Sequence, residues 1–175
     1  CLMSLIIGTD SYVTVEEADK YHAAMGNSAW TQDDENNITQ KEAALRKAAS
    51  FLDIAASGKW KGIRAMPQQA LAWPRKNVVD NDGYPIPADV IPSEVKRAAC
   101  EAALRIYGGD DLLPDETYNV ASESVAGAVS VSYFEGKSST PTYSAIYGLL
   151  NGLVISPLGG SGTNLSFSTK GYEYW

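Results

Sequence analysis

Thr39-Gln40-Lys41-Glu42-Ala43-Ala44-Leu45-Arg46-Lys47-Ala48-Ala49-Ser50-Phe51-Leu52-Asp53-Ile54-Ala55 is the stretch on which the fold turns. Ala44, Leu45, Ala48, Phe51, Leu52 and Ala55 recur at the spacing of one helical face. Thr39-Gln40-Lys41-Glu42 has the form of a capping box, in which the threonine hydroxyl and the glutamate each take a free N–H of the first turn. The reading predicts a helix starting at Thr39, with Ile38 and Ala43 as a hydrophobic staple, and ending at Gly58. Half of the apolar stripe is alanine. Short side chains let a second helix approach closely, so a small tight bundle is expected.

Two more helices flank this one. Thr14-Val15-Glu16-Glu17 is a further capping box, followed by Val15, Ala18, His22 and Met25 on one face and by Gly26 as the stop. Downstream, Pro92 suits the first helical position, Val95, Ala98, Ala99, Ala102 and Ile106 form the buried stripe, and Gly108-Gly109 ends it. Between Lys59 and Pro92 the periodicity is lost, and an irregular, packed connection is expected, with a turn at Asp80-Asn81-Asp82-Gly83.

After residue 110 the character changes. Val129-Ser130-Val131-Ser132-Tyr133 alternates with period two and predicts a strand at about 125–133. Tyr143, Ile146, Tyr147, Leu150 and Leu153 predict a short helix within 141–154. The Gly/Ser-rich remainder ends in Tyr172-Glu173-Tyr174-Trp175. The expected fold is therefore mainly α: a helical core over 1–110, a β element plus short helix over 111–155, and an extended tail over 156–175. No internal repeat is present.

Composition narrows the function. Acids outnumber bases by 21 to 14, giving a net charge of −7. That balance opposes a free-standing nucleic-acid binder, which needs clustered cations. Two cysteines, Cys1 and Cys100, are too few for a disulfide framework. Cys100 lies in an alanine-rich helical run and is expected to be a small buried hydrophobe. No apolar stretch reaches the roughly 20 residues of a membrane span. Met3 is expected to be the natural start.

Catalytic signatures are missing from the sequence. The single histidine, His22, has no nucleophile paired with it and is expected to be a satisfied core residue. No CxxC, HExxH or histidine pair suggests a metal, and no glycine loop precedes a helix as a phosphate cradle would. Neither catalysis nor a cofactor is expected. One cluster stands out. Between Asp53 and Asp80 lie five bases and no acid: Lys59, Lys61, Arg64, Arg75 and Lys76. Trp60 and Trp73 lie among them. Such a mixture can bind single-stranded DNA by phosphate pairing and base stacking. Given the acidic whole, the preferred reading is that both tryptophans are core, with the bases forming a solvated face or facing the acidic runs 33–35 and 110–116 of a neighbouring subunit.

Several segments together resemble a known family. They are Gly8-Thr9-Asp10-Ser11-Tyr12-Val13-Thr14-Val15-Glu16-Glu17-Ala18, Trp60-Lys61-Gly62-Ile63-Arg64, Gln69-Ala70-Leu71-Ala72-Trp73-Pro74-Arg75, Asp82-Gly83-Tyr84-Pro85-Ile86-Pro87, and Ile91-Pro92 leading into Val95-Lys96-Arg97-Ala98. Their order, over residues 8 to 108, is similar to that of tailed-bacteriophage head–tail adaptors (connector or head-completion proteins), a group also labelled DnaT-like single-stranded-DNA-binding proteins. The sequence beyond about residue 110 follows the pattern only loosely. The adaptor resemblance implies a virion protein at the head–tail junction: a homo-oligomeric ring, usually a dodecamer, beneath the portal protein. It would receive a tail or stopper protein, and genomic DNA would pass through the channel without specific binding. It also implies portal attachment through the C-terminal extension, here by Tyr172, Tyr174 and Trp175. The other label implies a replication accessory that contacts DNA through Lys59, Lys61, Arg64, Arg75, Lys76 and Trp60.

Overall fold

The first helix, α1 (Val15–Met25), forms where its capping signal predicts. Thr14 Oγ1 accepts from Glu17 N at 3.1 Å, and Glu17 Oε2 accepts from Thr14 N at 3.0 Å. Gly26 closes the helix in the left-handed region, at φ 72°. Ala18 and His22 are buried, but Met25 is 56% exposed, so the buried stripe ends one turn early. The computed structural model describes residues 4–30, 35–113 and 143–158.

Helix α2 (Glu35–Ala55) begins four residues before Thr39. Thr39 is thus inside the helix, and the expected capping box and staple there are corrected: Ile38 stands 42% exposed. The physical reason is that a Thr-x-x-Glu pattern fits a helix interior as well as a helix start, and here the helix already runs upstream of it. The apolar stripe itself is as read. Ala44, Leu45, Ala48, Phe51 and Leu52 are buried. They pack against α3 (Ser93–Tyr107), which buries Val95, Ala98, Ala99, Cys100, Ala102 and Ala103. Pro92 sits at the capping position of α3, one residue outside the helix.

The connection between α2 and α3 carries regular structure that the sequence reading did not predict. Strand β1 (Ile63–Arg64) pairs antiparallel with β2 (Arg75–Lys76), and β3 (Val78–Val79) with β4 (Pro85–Ile86). Only Asn77, at φ 60°, separates β2 from β3. Strands of two residues are too short to display alternation.

Helix α4 (Ser144–Leu150) runs into a 3-10 turn (Asn151–Leu153) and packs on α3. Ile146, Leu150 and Leu153 are buried as their spacing predicts. With Val154 and Leu158 they join the same core as α2 and α3, so 143–158 and the helical core are one packed body. Val154 bridges Trp60, with Lys61 N donating to Leu153 O at 3.0 Å and Ile155 N to Lys59 O at 2.7 Å. The architecture is mainly α with two small antiparallel sheets. The strand expected at 125–133 and the tail anchors Tyr172, Tyr174 and Trp175 lie outside the described residues.

Candidate nucleic-acid interface

The five bases singled out in the sequence lie on the segment that leaves α2 and forms β1 and β2. Two of them hold the segment together. Arg75 donates from Nε to Lys61 O at 2.8 Å, from Nη2 to Gly62 O at 2.8 Å and from Nη1 to Ala72 O at 3.2 Å. Lys61 donates from Nζ to Gly152 O at 2.8 Å, joining the ribbon to the turn after α4. Burial and the nearby Arg64 both lower the pKa of Arg75 from its ordinary value. Gln69 knits the intervening loop: its amide nitrogen donates to Leu71 O and Pro74 O, and its oxygen accepts from Met66 N.

The other three point outward to different degrees. Arg64 is exposed, with one bond to Gln69 O at 3.2 Å. Lys76 is exposed and Lys59 half-buried, and neither ammonium group has a hydrogen bond or ion pair among the described residues. An open cleft of about 450 Å³ lies beside Arg64 and Arg75, floored by Asp53, Trp60 and Leu71. Asp53 is taken up structurally: it accepts from the Tyr12 hydroxyl and from Ala72 N. Burial raises its pKa, against the lowering effect of those two donors and of Arg75.

Both tryptophans are core, as the preferred sequence reading has it, and the alternative of Trp60 as a stacking contact is corrected. Trp60 is 8% exposed and Trp73 fully buried, their rings meeting edge to face at 5.8 Å. Both indole nitrogens are buried and have no hydrogen-bond partner among the described residues. Trp60 therefore offers no face to a base, and its reading as a stacking contact fails on burial. Lys61 and Arg75 likewise have their donors directed at backbone carbonyls. The aromatic ring that does stand in solvent is Tyr84, 70% exposed; the others among the described residues are buried or half-buried. It sits in the β3–β4 turn, where Asp80 Oδ1 accepts from Asp82 N at 2.9 Å and Tyr84 N at 2.8 Å.

A second polar group lies inside the bundle. His22 is fully buried, its Nε2 3.1 Å from Cys100 O and its Nδ1 3.0 Å from the Asn27 amide nitrogen. The amide donates and the carbonyl accepts, which assigns the neutral tautomer with hydrogen on Nε2. Burial lowers the His22 pKa and pushes the Cys100 thiol up to about 12. Both residues are core, as their sequence context predicts. The sequence reading missed their neighbours. Asp19 Oδ1 accepts from Trp30 Nε1 at 2.7 Å and from the buried Lys41 Nζ at 2.9 Å, with Lys41 5.5 Å above the Trp30 ring. The available signal was that Lys41 falls on the apolar stripe, one turn before Leu45. Among the described residues no group of three or more His, Cys, Asp or Glu is placed to hold a metal ion. No described helix is long and apolar enough to cross a membrane.

A family model described as "Putative DnaT-like ssDNA binding protein" matches residues 4–170. No curated protein and no solved structure matches the chain.

Proposed function

Because the chain belongs to this DnaT-like ssDNA binding protein family, we propose that it binds single-stranded DNA through an exposed cationic edge, without catalysis. The match over nearly the whole chain carries the reading. The segment between Asp53 and Asp80, free of acids, supports it, with Lys59, Arg64 and Lys76 as its available cations. Lys61 and Arg75 serve the reading indirectly, by holding the ribbon that presents them. Phosphate pairing releases counterions, so log affinity falls linearly with log salt, by about 0.7 per phosphate contact on a single strand. Three contacts predict a slope of about −2. The test is fluorescence anisotropy of labelled oligo(dT) over a salt series. The expected result is salt-sensitive binding that is lost when Lys59, Arg64 and Lys76 are all changed to Ala. No binding at low salt, or equal binding by the triple variant, overturns it.

A second reading, a structural subunit at a phage head–tail junction, is favoured by a different observation. Trp60 and Trp73 are buried, and Lys61 and Arg75 direct their donors at backbone carbonyls. A chain of net charge −7 then has few cations with which to grip DNA. In this reading the protein is a homo-oligomeric ring, a dodecamer, in the virion neck. It binds the portal on one side and a tail or stopper protein on the other, and the genome passes through. Quantitative mass spectrometry of purified virions decides it: a copy number matching the portal supports the ring, and absence from virions removes it.

A further inference from the structure

Single-stranded DNA binding that tolerates any sequence combines cations along the backbone with an aromatic face for the bases. The sequence offers Trp60 and Trp73 for that face, and burial removes both. We propose that Tyr84 is the base-stacking residue, and that Lys76, at the end of the adjoining strand β2, holds a phosphate of the same DNA strand. This assignment rests on the single-stranded-DNA reading.

Three observations carry it. Tyr84 is 70% exposed, and among the described residues no other aromatic ring is comparably open. Its backbone is held in a built turn. Asp80 N donates to Tyr84 O at 2.9 Å, the Asp80 carboxylate accepts from Tyr84 N, and Gly83 takes φ 92°. A ring on a pre-ordered turn loses little freedom on stacking. Finally, chain continuity joins the two parts. Lys76 ends β2, only Asn77 intervenes, and β3 then leads into the turn that carries Tyr84. Lys61 links them again, with its Nζ 3.5 Å from Val79 O. The acids of the turn act differently from one another. Asp80 directs its carboxylate at two backbone N–H groups, whereas Asp82 is exposed and repels phosphate.

The experiment uses the full chain and labelled oligo(dT) over a salt series. Tyr84→Ala is expected to weaken binding about tenfold or more, the effect of one lost stack, with the salt slope unchanged. Tyr84→Phe keeps the ring and is expected to restore affinity. Lys76→Ala is expected to reduce the slope by about 0.7. Equal affinity of Tyr84→Ala and wild type, where the wild type binds, overturns the assignment while leaving the proposed function standing. A wild type that binds no oligonucleotide overturns both. Because Tyr84 is exposed, its substitution leaves the core intact, and an unchanged melting temperature verifies that the affinity change is local.

Discussion

His22 couples proton binding to stability. Inside the bundle it accepts from Asn27 at Nδ1 and donates to Cys100 O at Nε2, so a second proton has no acceptor at Nδ1. Burial holds its pKa below the ordinary value, against the raising effects of Cys100 O, Glu101 and Asp19; Lys41 lowers it further. The unfolded chain therefore binds the proton first as pH falls. This contribution to stability is complete above about pH 6.5 and is lost as pH drops toward the folded pKa, at up to about 1.4 kcal/mol per pH unit. Thermal melts between neutral and mildly acidic pH are expected to show the loss, and His22→Gln is expected to flatten it. Gly62 gives a second expectation. At φ 67° an added Cβ would run into the Lys76 carbonyl oxygen and come within 2.7 Å of Val78 Cγ2. Gly62→Ala is expected to cost about 1–3 kcal/mol in denaturant unfolding, through strain at a left-handed position. His22 and Cys100 were legible as core because each lies among apolar or small residues at helical spacing. The roles of Lys61 and Arg75 were not. Their acceptors are backbone carbonyls, which every residue carries and no sequence pattern marks.

At the level of elements, alanine sets the packing. Ala44, Ala48 and Ala49 of α2 and Ala98, Ala99, Ala102 and Ala103 of α3 are buried, and the two helices pack on each other. Such faces leave no room for longer side chains. Ala98→Leu is expected to destabilise by about 1–3 kcal/mol through overpacking, read as a lower denaturant midpoint. This part of the fold could be read directly, because period and small size together specify a close helix pair. The N-terminus of α2 could not: a Thr-x-x-Glu pattern is compatible with a helix interior, and only the chain upstream decides. The four strands were invisible for another reason. They are held by register pairs such as Ile63↔Lys76 and Val78↔Ile86, not by any alternation of their own.

Across the whole molecule, charge and exposure separate what composition had merged. The basic segment divides into cations that hold the ribbon and cations that face solvent, and among the described residues the buried tryptophan pair contrasts with the open ring of Tyr84. Exposure of a single ring depends on how the surrounding chain packs, so Tyr84 carried no mark in the sequence. The attachment of α4 has its own consequence. Its N-terminal end is met by Phe51 and Arg105 around Tyr143, and the chain beyond it by the Trp60–Val154 bridge. Ile146, Leu150, Leu153, Val154 and Leu158 lie in the common core. Peptide continuity between 113 and 143 is therefore not what keeps α4 in place. A molecule cut once in that interval is expected to stay whole on gel filtration and to separate into two fragments only in denaturant. The two pieces, made apart, would be each other's missing half: one chain in covalent terms, but a two-part complementation pair in its packing.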